Sequence, residues 1–287
     1  MNRLSFTNGA YRTAPRKVAP LARWFPSLAF HPRLILSVFR ASAAAKRGSY
    51  GDRQWSDHGL YLLRTLESVG VQFEITGVEH LQHLETPCVI VGNHNSTLET
   101  AVLPAIIQPI LPVTFVVKQS LIDYPVFKHI MRARHPIAVT QTDPRHDLKT
   151  MLLEGARRIE NGVSVVVFPE GRRSPVFDQA RFNTIGVKLA HRAGVPIIPM
   201  ALYTNAWALG RGRLNDFGRI DPAHKVRFAF GEPLMVEGRG VNENRVLVDF
   251  IARHLETWRL EDGRKAPSPA ELLPAPAGIE SFEAGDV

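Results

Sequence analysis

A histidine and an acid, His94 and Glu99, stand five positions apart just after the apolar run Val89-Ile90-Val91. An imidazole held by a carboxylate can act as a general base, because the acid fixes the tautomer of the ring and stabilises the imidazolium that forms. A capping box explains the same residues without chemistry, since Ser96 and Glu99 have the Ser-x-x-Glu spacing that closes the first turn of a helix. Spacing alone favours the cap, so the catalytic interpretation needs a second signal.

A second stretch carries two adjacent arginines behind a turn. The apolar run 163–168 leads into Pro169-Glu170-Gly171, a turn sequence, and then into Arg172 and Arg173. Arginine side chains bind phosphate oxygens through paired hydrogen bonds, and the amides of a turn can add to such a cradle. An isolated pair of this kind is more often a solvated turn. Only in combination do the two stretches indicate a catalytic site.

Together the two stretches resemble the 1-acylglycerol-3-phosphate O-acyltransferases, the PlsC-like glycerolipid acyltransferases that acylate lysophosphatidic acid. These enzymes carry a histidine followed at the same spacing by an acid, and later Phe-Pro-Glu-Gly-x-Arg. Two further blocks keep the order of the family, Val116-Val117-Lys118 between the motifs and Val195-Pro196-Ile197-Ile198-Pro199-Met200 after them. The resemblance covers residues 89–200 and is weaker outside them.

Three positions depart from the pattern of the family. Glu99 stands where an aspartate is usual, and Arg172 replaces the threonine of Phe-Pro-Glu-Gly-Thr-Arg. Gln141 holds a place at which many members have arginine, with Arg145 nearby. The longer carboxylate of Glu99 keeps the chemistry, and Arg172 adds a charge. The missing cation at Gln141 leaves the head group of the acceptor open.

The resemblance implies transfer of a fatty acyl group to the free hydroxyl of a lysophospholipid. The donor is an acyl thioester, either acyl-acyl carrier protein (acyl-ACP) or acyl-coenzyme A. The first candidate acceptor is 1-acyl-glycerol-3-phosphate, which would give phosphatidic acid. His94 is then the base and Glu99 its orienting acid. The acceptor would be bound by Lys118, Glu170, Gly171, Arg172 and Arg173. The thioester is a co-substrate, and we expect no metal and no bound cofactor.

Two alternatives to this function stay open. The acceptor could be another lyso-lipid, such as lyso-ornithine lipid, because Gln141 is uncharged. The protein could also be a non-catalytic lipid-binding protein, in which His94 and Glu99 merely start a capped helix. Turnover with a defined acceptor separates all three functions.

Positive charge is concentrated at the start of the chain. The 287 residues carry a net charge of +8, and residues 1–51 contain nine Arg and Lys but no acid before Asp52. Such a segment is attracted to anionic lipid or to an acidic carrier protein. No recognised nucleic-acid-binding fold accompanies the charge, so we expect no nucleic acid partner. Cys88 is the single cysteine, which excludes an internal disulfide and a cysteine zinc site.

Two apolar patches, residues 21–30 and 34–39, lie among these basic residues. Neither reaches the roughly 20 apolar residues of a membrane-spanning helix. They are predicted either as short helices in the membrane interface or as a helical pair packed on the domain's own core. An organellar targeting peptide is a third interpretation, but no clear cleavage signal is present. We expect a peripheral or monotopic protein on the cytoplasmic face of a membrane, such as a bacterial inner membrane.

Apolar strands alternate with amphipathic helices from residue 72 to 204, which predicts right-handed βαβ units. The expected fold class is therefore α/β, a mostly parallel sheet flanked by helices, and the resemblance implies the glycerolipid acyltransferase fold with an N-terminal membrane-associating helical segment. We divide the chain into a basic arm with interfacial helices (1–65), an acyltransferase domain (66–262) and a disordered Pro/Ala-rich tail (263–287). Within the first part, residues 1–18 are predicted to be a loosely ordered arm. A parallel sheet brings the ends of the strands that precede both motifs to one edge.

Overall fold

The computed structural model describes residues 3–124, 127–210 and 216–263, so the predicted tail lies outside the described residues from position 264 onward. The strands are β1 (Tyr11–Arg12), β2 (Phe73–Thr76), β3 (Val89–Gly92), β4 (Val113–Lys118), β5 (Ile137–Val139), β6 (Ser164–Val167), β7 (Ile197–Tyr203) and β8 (Val226–Phe230). The helices are α1 (Pro20–Trp24), α2 (Pro26–Lys46), α3 (Asp52–Ser68), α4 (Glu79–Gln82), α5 (Thr97–Ile107), α6 (Gln119–Asp123), α7 (Phe127–Arg134), α8 (Pro144–Glu160), α9 (Ile185–Ala193) and α10 (Val241–Glu261).

All eight strands form one sheet in the order β1-β2-β8-β7-β3-β6-β4-β5. The five strands from β7 to β5 run parallel to one another. β8 pairs antiparallel with β7, and β1 pairs antiparallel with β2. The prediction of a mostly parallel α/β sheet flanked by helices is confirmed. Because β3 and β6 are parallel neighbours, the residues that follow them meet at the same edge of the sheet.

Both faces of the sheet are covered, which explains why its central strands are uniformly apolar. In β3, Ile90 points into the core formed with α2, α3 and α5. Val89 and Val91 point into the opposite core, formed with α8, α9 and α10. Gly92 ends β3 beside Met200, and a Cβ there would lie 2.8 Å from the Met200 carbonyl oxygen. A glycine therefore keeps β3 close to β7 at the end that leads into the site.

The N-terminal segment is attached more firmly than predicted. Tyr11 and Arg12 pair with β2, and the hydroxyls of Tyr11 and Thr13 donate to the buried Glu67 carboxylate at 2.5 and 2.7 Å. The proposed boundary between residues 65 and 66 falls inside α3. The prediction of a loose arm is wrong for residues 11–13, because the buried acid of α3 requires these hydroxyl donors.

The first apolar patch is divided between α1 and the start of the longer helix α2, and the second lies within α2. Of the two predicted environments, packing on the domain's own core is observed for α2. One side of this helix is buried in the core through Phe30, Leu34 and Val38. The other side of α2 is exposed and carries large apolar side chains, and so does α1. The large exposed apolar residues of the two helices and their junction are Leu21, Trp24, Phe25, Leu28, Ile35, Leu36 and Phe39. Among the described residues, no helix is both long and apolar enough to cross a membrane.

Candidate active site

The first motif lies between the end of β3 and the start of α5. Ser96 is the N-cap of α5, and its hydroxyl accepts the Leu98 N–H at 3.1 Å. The Glu99 carboxylate reaches back and accepts the Ser96 N–H at 2.8 Å. The capping box that the spacing predicted is therefore formed.

The same carboxylate also holds the imidazole. Glu99 Oε1 lies 2.9 Å from His94 Nδ1 and accepts the Asn95 N–H at 2.6 Å. Its other oxygen, Oε2, accepts the hydroxyl of Thr204 at 2.6 Å. The two interpretations of the motif do not compete, because one carboxylate with two oxygens caps the helix and binds His94 together.

The charge on Glu99 decides which nitrogen of His94 carries the proton. Burial alone would raise the pKa of Glu99, but the hydrogen bond and charge of His94, with donors from Thr204 and Ser96, hold this pKa below its ordinary value. An ionised carboxylate only accepts, so Nδ1 carries the proton, and in the neutral imidazole Nε2 keeps its lone pair. The ring stacks on Phe168, with centroids 4.3 Å apart and planes inclined by 10°. His94 is thereby fixed in orientation and tautomer.

The second motif is bonded directly to the first. Glu170 accepts the His94 backbone N–H at 2.8 Å, and the Ser174 N–H donates to the His94 carbonyl at 2.8 Å. The Asn95 side chain donates to the Ser174 carbonyl at 2.9 Å. Burial raises the pKa of Glu170 to about 7; the N–H groups of His94 and Asp178 lower it, while the charges of Asp178 and Glu99 raise it further. The turn after β6 is thus closed onto the loop that carries His94.

The two arginines of this motif take different positions. Gly171 has a φ of +70°, a left-handed conformation that glycine adopts without strain and that turns the chain before the arginines. Arg173 Nη1 donates to the Thr97 hydroxyl on the first turn of α5 and to Asp216 Oδ1, the latter at 2.5 Å. Arg172 is exposed. One guanidinium is therefore anchored beside the helix that holds the histidine, and the other faces solvent.

Lys118 and Gln141 complete this edge of the sheet. Lys118 ends β4, which is separated from β3 by β6, and its side chain is exposed. The Gln141 side chain donates to the Gly171 carbonyl at 2.6 Å. Gln141, the departure from the family pattern noted in the sequence, is thus in contact with the arginine-bearing turn.

Comparison with known proteins agrees with this geometry. Residues 72–203 match the Acyltransferase family. A 1-acyl-sn-glycerol-3-phosphate acyltransferase of Pseudomonas aeruginosa is 33% identical over 168 residues, which are 58% of this chain and 63% of the relative. Residues 72–203 are an acyltransferase domain. The resemblance inferred from the motifs is confirmed.

Two further proteins show how far the similarity of this acyltransferase domain extends. A chloroplastic 1-acyl-sn-glycerol-3-phosphate acyltransferase of Brassica napus is 30% identical over 145 residues, 50% of this chain and 39% of the relative. The matched part thus spans less than two thirds of both curated relatives. The crystal structure of the lysophosphatidic acid acyltransferase PlsC from Thermotoga maritima superposes with a TM-score of 0.57 at 19% identity, covering 86% of this chain and 95% of that one. The fold of the two proteins is the same.

Sequence reasoning missed four side chains of the acyltransferase domain's site. Phe168 was inside a recognised motif but was assigned no contact with His94. Asn95 lies in the loop between β3 and α5, and its side-chain oxygen accepts the Thr204 N–H at 2.9 Å. Thr204 directly follows β7, at the edge of the sheet that carries His94. A polar residue at the end of a buried parallel strand is the feature of the sequence that could have indicated it. Asp216, far along the chain, gave no local signal.

The described residues contain no group of three or more His, Cys, Asp or Glu side chains that could hold a metal ion. What the site offers instead is an oriented imidazole with an accepting nitrogen and a guanidinium anchored beside it. Such an arrangement can remove a proton from a hydroxyl and bind an anion close by.

Proposed function

We propose that this protein is an O-acyltransferase that moves a fatty acyl group from an acyl thioester to the free hydroxyl of 1-acyl-glycerol-3-phosphate, giving phosphatidic acid. The observation that carries the proposal is the 2.9 Å contact between His94 Nδ1 and the buried Glu99, which leaves Nε2 as the accepting nitrogen. The names of the two curated relatives support this choice of acceptor.

In the proposed reaction, His94 Nε2 takes the proton from the acceptor hydroxyl while the hydroxyl oxygen attacks the thioester carbonyl. Glu99 stabilises the imidazolium that forms. The tetrahedral intermediate then collapses, the carbon–sulfur bond breaks, and the imidazolium returns its proton to the leaving thiolate. The new carbon–oxygen bond forms by direct attack, so no acyl group is attached to the enzyme. The step needs no metal and no bound cofactor.

The acceptor phosphate would bind on the arginine-bearing side of the site. Arg173 is already held beside α5, while Arg172 and Lys118 are exposed at the same edge of the sheet. Glu170 and Gly171 shape the turn that presents the arginines. Arginine suits this task because its guanidinium can donate two parallel hydrogen bonds to a phosphate. The basic surface would also attract the acidic donors, acyl carrier protein or coenzyme A.

The exposed apolar side of α1 and α2 would hold the enzyme on the cytoplasmic face of a membrane, such as a bacterial inner membrane. Trp24 is 79% exposed, and Phe25 and Phe39 are exposed with it. The basic residues Arg23 and Arg40 lie on the same helices and are exposed. An apolar surface flanked by positive charge binds anionic bilayers, and co-sedimentation of the protein with anionic but not neutral vesicles would check this membrane binding.

The test of the function is thiol release from palmitoyl-coenzyme A, and then from a palmitoylated acyl carrier protein, with and without lysophosphatidic acid. Wild type, His94→Ala and the control His83→Ala, an exposed histidine before β3, would be compared. We expect acceptor-dependent release that falls by on the order of 10²- to 10⁴-fold in His94→Ala alone. Release that ignores the acceptor would indicate a thioesterase. Wild-type release by His94→Ala would remove His94 from the mechanism, and no turnover at all would favour a lipid-binding protein.

One observation favours a second acceptor. Gln141, which is uncharged, contacts the turn before the arginines at a position where the resemblance to the family implies arginine. The site therefore has one fixed cation fewer than the family pattern implies. A lyso-lipid without a phosphate monoester, such as lyso-ornithine lipid, is the alternative substrate. Parallel assays with both acceptors decide the point, since the preferred acceptor will have the higher kcat/KM.

A further inference from the structure

The guanidinium of Arg173 belongs to a closed hydrogen-bonded ring of three side chains. Its Nη1 donates to the hydroxyl of Thr97 and to Oδ1 of Asp216. The Thr97 hydroxyl in turn donates to the same Oδ1 at 2.8 Å. The three residues come from the first turn of α5, the turn after β6 and the loop after β7, so the ring joins three separate parts of the site.

This ring connects Arg173 to the helical turn that orients the base. Thr97 is the first residue of α5, and Glu99, two residues later, holds His94. A side chain fixed to Thr97 therefore keeps a constant position relative to His94. An unrestrained arginine samples many rotamers, and ordering it costs free energy when a ligand binds.

Asp216 is itself held in place. Its backbone carbonyl accepts the indole N–H of Trp207 at 3.1 Å, and Trp207 is only 1% exposed. The next residue, Phe217, packs its ring against His31 of α2, with centroids 5.8 Å apart. Slightly further on, the Ile220 N–H donates to the Ser27 hydroxyl at 2.9 Å. The Asp216 carboxylate thus has a firmly attached backbone behind it.

The exposure of the ion pair shows what it contributes. The Arg173 side chain is 23% exposed and the Asp216 side chain 42%. Ion pairs in contact with solvent add little to stability. The contribution of Asp216 is therefore one of geometry, which matters most where a bound anion must lie at a set distance from the base.

We infer that Asp216 is a positioning residue that fixes Arg173 as the anchor for the anionic head group of the acceptor. The inference rests on the proposed function. Asp216 and Thr97 hold the guanidinium against the first turn of α5, and the acceptor anion bound there places its hydroxyl within reach of His94. Asp216 does not touch the reacting atoms, and it acts on the acceptor only through Arg173.

The experiment measures full saturation curves of the intact chain for the acceptor and for the thioester donor separately. The variants are Asp216→Asn, the conservative Asp216→Glu, and the control Asp221→Asn, an acid of the same loop that faces His224 instead of Arg173. For Asp216→Asn we expect a KM for lysophosphatidic acid raised about tenfold, with the KM for the donor and the melting temperature unchanged. Asp216→Glu restores part of the loss, and Asp221→Asn behaves as wild type.

Three results would overturn the inference while wild type stays active. An unchanged acceptor KM in Asp216→Asn would show that Arg173 needs no positioning. A lowered acceptor KM would show that Asp216 competes with the anion instead of preparing its site. A parallel loss for donor and acceptor, with a lower melting temperature and no rescue by Asp216→Glu, would indicate a purely structural residue. An inactive wild type, in contrast, would overturn the proposed function itself and this inference with it.

Discussion

Two buried carboxylates hold His94, one through its side chain and one through its backbone, and their pKa values are shifted in opposite directions. Glu99 is 0% exposed and binds the imidazole, whereas Glu170 is 8% exposed and binds the backbone N–H of the same residue. The pKa of Glu99 lies below its ordinary value, while that of Glu170 is raised to about 7. The more deeply buried acid is therefore the one that stays ionised.

The difference lies in the donors that surround each carboxylate. Glu99 accepts from an imidazole, from the Thr204 hydroxyl and from backbone N–H groups of the helix cap. Glu170 accepts two backbone N–H groups, one at 2.8 Å from His94 and one at 3.4 Å from Asp178. Desolvation penalises both charges, but only Glu99 has enough strong donors to outweigh it. Burial alone does not predict the charge of an acid.

The two acids are also coupled, because the charge on Glu99 is one of the causes that raise the pKa of Glu170. This arrangement separates two tasks. A Glu99 that is ionised near neutral pH can stabilise an imidazolium, while Glu170 can hold the loop without placing a full second charge beside the base. The following variants test this division.

The largest effect is expected for Glu99→Gln. The amide can still accept the cap N–H groups, but it carries no charge to stabilise the imidazolium, and the preferred tautomer of His94 is no longer enforced. By analogy with other histidine–carboxylate pairs, kcat should fall on the order of 10³-fold. The measurement is acceptor-dependent thiol release at saturating donor and acceptor.

Glu85→Gln, which changes an exposed glutamate before β3, provides the matched control and should retain activity. Circular dichroism would verify that Glu99→Gln is folded. A folded variant with wild-type kcat would contradict the assigned role of Glu99 and reduce it to a helix cap.

Glu170→Gln should change the pH dependence of stability. The folded state holds the Glu170 proton up to a pH of about 7, whereas the ordinary value is 4.5. The folded state therefore binds more protons in this window, so the contribution of Glu170 to stability is complete below pH 4.5 and is lost as the pH rises through 7. At about 1.4 kcal/mol per pH unit, the loss reaches about 3 kcal/mol. Glutamine has no proton to lose, and the variant should gain stability relative to wild type as the pH increases.

Denaturant unfolding at pH 5 and pH 8 measures this gain. Glu154→Gln, on the exposed side of α8, controls for the loss of one formal charge at the surface. If the difference in unfolding free energy between Glu170→Gln and wild type were the same at both pH values, Glu170 would not titrate in this window, and the contrast with Glu99 would disappear.

Much of the fold could be predicted because a buried parallel strand consists of consecutive apolar residues, which are visible in the local sequence. The run Val89–Val91 and the run 163–168 correspond to β3 and β6, with shifts of one residue at their ends. β1 was missed, since two residues cannot show a period. The order of the strands was also beyond local reasoning, because it depends on crossovers between distant segments.

In the site, too, contacts between residues close in sequence could be predicted, whereas contacts between distant segments could not. The contact between His94 and Glu99 lies within six consecutive residues and could be predicted as one of two interpretations, although the sequence could not show that both hold. Thr204 and Asp216 reach the site only after the sheet and the β7–β8 loop have folded. Polar residues after strands are too common for either to be singled out from the sequence.

Of these three variants, Thr204→Val should have the smallest effect. It tests most directly whether the hydrogen-bond donors around Glu99 outweigh its desolvation. The substitution preserves the shape of a completely buried side chain but removes the hydroxyl that donates to Glu99 Oε2 at 2.6 Å. Losing a hydrogen bond to a buried charge should cost about 2 kcal/mol of unfolding free energy at pH 7. Because the ionised form of Glu99 receives this bond, the difference in unfolding free energy between the variant and wild type should become smaller as the pH falls below 4.5. The fall in kcat should be smaller than in Glu99→Gln.

Thr204→Ser is the control, because it keeps the hydroxyl and should recover most of the lost unfolding free energy in denaturant titrations. A Thr204→Val variant as stable as wild type would mean that the remaining donors suffice, and that the number of strong donors is not what distinguishes Glu99 from Glu170.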